Sequence, residues 1–112
     1  MEVIDKRFLL ENIDGDQELL REIVDLFFDS SGAILNELRE AVRSADHDAL
    51  RQAAHRLKGA LANLGATAAT AAAAELETLG RNGMLTGLEE AWFALNQELE
   101  RLEPELRSMA AG

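Results

Sequence analysis

Residues 48–64 read DALRQAAHRLKGALANL, and this stretch decides the fold. At about 100° per residue, Leu50, Ala53, Ala54, Leu57, Ala60, Leu61 and Leu64 fall within one arc, the apolar stripe of an amphipathic helix. His55 lies about 140–160° from the middle of that arc and so faces water. Gly59 stands one turn further on beside it, Ala62 lies beyond Gly59 on the same outward face, and Lys58 flanks them. A helix surface usually carries long polar side chains, and glycine in a helix interior costs about 1 kcal/mol relative to alanine. A reactive imidazole with cleared ground beside it therefore serves something other than helix stability.

Working outward, the whole chain reads as helices. A short one is expected from about Asp5 to Asn12, and Ile13-Asp14-Gly15-Asp16 is a turn with good capping chemistry. Leu20, Ile23, Val24 and Phe27 mark a second helix from about Gln17 to Asp29. Ser30-Ser31-Gly32 is expected to break it, and Ile34, Leu35, Leu38, Ala41 and Val42 mark a third from Ala33 to Ser44. Asp46 caps the helix that carries His55, which ends at Gly65. Thr67 to Leu79 follows, with Ala69, Ala72, Leu76 and Leu79 inward; its alanines let two helices approach closely. Gly80-Arg81-Asn82-Gly83 reads as a turn, and Thr86 with Glu89 as a capping box. Leu88, Trp92, Leu95, Leu99 and Leu102 form a bundle seam on the last helix. Pro104 is expected to end or kink it, and residues 108–112 to fray. The sum is an all-α chain: an antiparallel four-helix bundle with one or two additional short N-terminal helices. It forms one domain over residues 1–112, with residues 1–14 as a capping helix and turn.

Composition narrows the function. At 112 residues the chain suits one compact domain, and 47% hydrophobic residues allow a core. A net charge of −10 argues against nucleic acid as a partner, because phosphate would be repelled. Yet no acidic residue occurs from Ala49 to Ala74, where Arg51, Arg56 and Lys58 stand, so the surface around His55 is expected to be locally cationic. Cysteine is absent, which rules out disulfide and thiol chemistry and fits a cytoplasmic protein. No apolar run approaches the roughly 20 residues needed to span a bilayer. His47 precedes His55 by eight residues, about 12 Å along a helix, so the pair cannot chelate one metal within it. No paired carboxylates, phosphate-binding glycine loop or Ser-His-Asp set is present.

Ala54-His55-Arg56-Leu57-Lys58-Gly59-Ala60, followed by Asn63-Leu64-Gly65-Ala66, resembles the histidine-containing phosphotransfer (HPt) domains of multistep two-component phosphorelays. Gly15-Asp16, Leu19, Phe27, Leu38, Ala41, Asp46, Leu50 and Leu76-Glu77 extend the resemblance along nearly the whole chain. It implies that His55 accepts a phosphoryl group from a receiver-domain aspartate and passes it to another receiver. Such a chain is a covalent carrier without kinase activity of its own. It needs no cofactor, since the receiver supplies the divalent metal.

Neutral imidazole offers a free lone pair near neutral pH. Positive charge from Arg51 and Lys58 disfavours imidazolium, and after transfer the same charges stabilise phosphoryl oxygens, Lys58 foremost. Gly59 lets a partner's active site come within bonding distance, with Arg56 and Ala62 bordering the approach. A residue near the place of Glu77 in the family can hydrogen-bond the non-reacting ring nitrogen. Such a carboxylate would fix the tautomer and raise ring basicity; an ordinary surface glutamate is the competing reading. Gln52, one turn before His55, is a second candidate for contact. Ile4, Phe8 and Leu9 are candidates either for docking or for burial against the bundle end. The partners implied are response-regulator receiver domains, a hybrid sensor kinase, or both, with neither nucleic acid nor membrane involved and the chain monomeric. The alternatives are an unphosphorylated docking module and the phospho-accepting domain of a hybrid or chemotaxis-type histidine kinase.

Overall fold

A computed structural model of the chain describes residues 2–112. It contains α1 (Lys6–Asn12), α2 (Gln17–Ser44), α3 (His47–Asn63), α4 (Thr67–Arg81) and α5 (Leu88–Ala111). Aspartates set three of the starts. Asp5 accepts from the Phe8 amide, Asp16 from the Glu18 and Leu19 amides, and Asp46 from the Ala49 amide, each satisfying donors that a helix leaves free at its first turn. The connections after α2, α3 and α4 are short, so each helix turns back along its predecessor. α3 packs on α2 and α4, and α5 closes the ring on α2 and α4. Leu20, Leu38, Leu50, Leu57, Leu61, Leu76, Leu95 and Leu102 meet in the interior. Among the described residues no helix is long and apolar enough to cross a membrane.

The break expected at Ser30-Ser31-Gly32 does not occur: α2 runs unbroken for 28 residues. Its buried positions, Leu20, Val24, Phe27, Ser31, Leu38 and Ala41, keep one helical register through the weak triplet. The Ser30 hydroxyl donates to the Leu26 carbonyl at 2.8 Å, which satisfies it without leaving the helix. Tertiary packing thus overrides local propensity.

The end of the chain departs from expectation in a similar way. α5 continues through Pro104 to Ala111, so Pro104 does not end it and residues 108–111 are helical. Pro104 and Glu100, whose carbonyl loses its helical donor at the proline, both lie on the exposed side of α5. The last turn is held from α2, where the Gln17 amide donates to the Met109 and Ala110 carbonyls and Arg21 Nε to Ala110. Gly87, with φ 89°, precedes α5 and no side chain caps it, so Thr86 and Glu89 form no capping box.

Two glycines shape the surroundings of α3. Gly65 ends the helix at φ +69°, its amide donating to the Ala62 carbonyl and the Ala66 amide to Leu61. Gly80, expected in a turn, lies inside α4. A Cβ there would stand 2.8 Å from the Arg51 nitrogen and 2.9 Å from the His47 carbonyl oxygen. Backbone against backbone, α4 lies as close to α3 as the chain allows.

Candidate functional site

The site is assembled across that close α3–α4 contact. Leu50, Ala53, Ala54, Leu57 and Leu61 bury one face of α3, which turns His55 outward. Its side chain is 65% exposed. Gly59 is exposed on the next turn, and a Cβ added there would meet nothing within 4 Å. Ala62 is exposed beyond it. The imidazole therefore stands on open ground.

From α4, Glu77 reaches under the ring. Its side chain is only 9% exposed, and its Oε2 lies 2.8 Å from His55 Nδ1. Its Oε1 lies 2.5 Å from Lys58 Nζ, and Arg81 Nη2 is 3.7 Å from Oε2. The hydrogen bond from Lys58 holds the Glu77 carboxyl below its ordinary range. Burial opposes this and the bond to His55 adds to it. An ionised carboxylate can only accept, so in the neutral ring Nδ1 carries the hydrogen and Nε2 keeps its lone pair. Glu77 is thus no ordinary surface glutamate. Its small neighbours allow the depth, since Ala69, Ala73 and Gly80 lie on the same buried face of α4.

The other expected residues are placed differently. Gln52 donates to Asp48 at 3.0 Å instead of contacting His55. Arg51 pairs with the same Asp48 at 2.9 Å, and Arg56 pairs with Glu37 of α2. Lys58 pairs with Glu77. The locally cationic surface read from the acid-free stretch is therefore largely neutralised, because carboxylates from before that stretch, from α2 and from α4 fold back onto it. Glu37, Asp48 and Arg81 escaped the sequence reading. Asp48 lay three and four residues from its partners, a helical spacing visible in the sequence; Glu37 and Arg81 come from other helices.

Ile4 and Leu9 are buried, at 6% and 0% exposure, and belong to the core. The Asp5 amide donates to the Gly65 carbonyl, and the Glu2 carbonyl accepts from the Ala68 amide, which draws the N-terminal segment over the α3–α4 turn and Ile4 inward. Phe8 remains 41% exposed. It lines a groove of about 370 Å³ with Ala62, Gly65, Thr70, Ala71 and Ala74, beside the outward face of α3. His47 Nε2 lies 3.2 Å from the Met84 carbonyl oxygen, remote from His55 along α3.

The Hpt domain family matches residues 22–105, which include every helix of the bundle except the first five residues of α2 and the last six of α5. The chain belongs to the Hpt domain family. The fold of this Hpt domain is similar to the crystal structure of histidine-containing phosphotransfer protein B (HptB) from Pseudomonas aeruginosa PAO1. The TM-score is 0.90 at 25% sequence identity, over 97% of this chain and 95% of that one. No curated sequence matches the chain. The Hpt domain is a histidine phosphotransfer module of phosphorelays, a phosphoryl carrier by class.

Proposed function

We propose that this Hpt domain carries its phosphoryl group on His55 Nε2, taking it from the aspartate of one receiver domain and giving it to that of another. The observation that carries the reading is the exposed ring with Nδ1 held on buried Glu77. Loading forms an N–P bond at Nε2 and breaks the O–P bond of the aspartyl phosphate, whose carboxylate leaves. No proton need move. Lys58, beside the ring, is the residue to neutralise phosphoryl oxygens, and Gly59 leaves room for the incoming active site. In this reading the chain is a monomeric cytoplasmic carrier without kinase activity of its own, in keeping with its Hpt family, and the receivers supply the divalent metal.

Incubation with a receiver phosphorylated on its aspartate should move the label to the chain, and His55→Gln should abolish it. Equal labelling of the His55→Gln variant would place the acceptor elsewhere. Receiver binding that survives His55→Ala, without transfer from any receiver tested, would instead favour an unphosphorylated docking module.

A further inference from the structure

The contact between Glu77 and His55 has a second half, which concerns unloading. When neutral imidazole takes the phosphoryl group at Nε2, the Nδ1 hydrogen stays and the ring becomes cationic. If that hydrogen is kept, transfer onward expels neutral imidazole. If it is lost to solvent, transfer must expel imidazolate, a far stronger base and so a far poorer leaving group. The charge beneath Nδ1 therefore governs how readily the carrier gives up its cargo.

Resting on the assignment of His55 as acceptor, we propose that Glu77 is a positioning residue for the second half-reaction, holding the Nδ1 hydrogen on phosphorylated His55 so that the group stays transferable as pH rises. Three observations support it. Glu77 Oε2 lies 2.8 Å from Nδ1. The Glu77 side chain is largely shielded from water, and Oε2, the oxygen at Nδ1, is not the one that Lys58 takes. Lys58, 2.5 Å from Oε1, keeps it ionised. The charged groups around the ring are few enough to name. Asp48, Arg51, Arg56 and Lys58 come from α3 itself, with Asp48 tied to Arg51; Glu77 and Arg81 come from α4, and Glu37 from α2, where it is tied to Arg56. Arg51 and Arg56 are each matched by a carboxylate other than Glu77, which leaves Glu77 as the anion in direct contact with the imidazole.

The step balances without a co-reactant. In unloading, the receiver's aspartate oxygen forms the new O–P bond while the Nε2–P bond breaks. The bonding pair returns to Nε2, and the Nδ1 hydrogen remains where it was. Glu77 donates and receives nothing.

The test is the pH profile of unloading. The chain is loaded from a phosphorylated receiver or from phosphoramidate, freed of donor, and mixed with unphosphorylated receiver at a series of pH values. The rate should fall at high pH. In Glu77→Gln the amide oxygen still accepts from Nδ1, so the ring keeps its orientation but loses the charge. The midpoint of the fall should move down by about one pH unit or more, and on the falling limb the variant should transfer roughly tenfold slower. Coincident midpoints would overturn the proposal and reduce Glu77 to a structural support. Should the variant fail to fold, the wild type decides. Nitrogen-15 NMR of the loaded chain should show Nδ1–H persisting to higher pH than in free phosphohistidine, and equal titrations would overturn the idea. A chain that takes no label from receiver or phosphoramidate ends the carrier assignment and this inference together; a chain that loads normally with an unshifted profile ends only the inference.

Discussion

Gly59 and Gly80 look alike in the sequence and have opposite physics. Gly59 is a hole in the surface: a Cβ there meets nothing, and the backbone is ordinary helix. Gly59→Ala should therefore stabilise the fold by about 1 kcal/mol in urea unfolding. Gly59→Leu should fold as well yet slow transfer from a receiver at least tenfold, since it fills the approach to His55. Equal transfer would remove steric clearance from the account. Gly80→Ala puts a methyl against two backbone atoms of α3, which cannot swing aside. Overpacking outweighs the gain in helix propensity, and a net loss of about 2 kcal/mol is expected by the same measurement. The outward placement of His55 was legible because one apolar arc fixes it. The depth of Glu77 was not, because a glutamate on an alanine-rich helix faces inward only once the neighbouring helix brings the groups that accept its charge.

At the scale of elements, periodicity outperformed punctuation. The stripes of α3 and α5 were readable because leucines recur at helical spacing. The errors came from residues that speak locally: Ser30-Ser31-Gly32 in α2, Pro104 in α5, and Thr86 with Glu89 before it. In α2 the contrary signal was present, since Phe27, Ser31 and Leu38 stay in one register through the triplet. Gly32 is exposed, and a Cβ would meet nothing within 4 Å. Gly32→Ala should therefore stabilise the domain by about 1 kcal/mol in urea unfolding, with phosphotransfer unchanged. A loss of stability would mean that α2 bends at this point and needs the glycine. The last turn of α5, beyond Pro104, is held by Gln17 and Arg21, 92 and 89 residues from the carbonyls they bond, which no local reading reaches.

For the molecule as a whole, 21 acidic residues stand against 11 lysines and arginines, and the ion pairs around His55 show how the fold spends its few cations. Glu77 ties this to acid stability. Its carboxyl titrates below 4.5 in the folded chain because Lys58 holds the charged form, and returns to the ordinary value on unfolding. Its stabilising contribution is therefore complete above the ordinary carboxylate range and is lost as pH falls through the lower folded value. Urea unfolding of wild type and Glu77→Gln should show a gap at neutral pH that narrows as pH drops beneath 4.5. A gap that stays constant into acid would mean the carboxylate charge contributes nothing to the fold.

The imidazole and the carboxylate beneath it sit 22 residues apart in the chain and on different helices. A synthetic peptide spanning 48–66 would contain the whole motif around His55 and still lack the anchored tautomer, because Glu77, the partner that fixes it, arrives only through tertiary folding. On the proposed role of His55 as acceptor, its tautomer depends on two helices clasped together, and loosening the clasp would change how the ring reacts without touching the histidine itself.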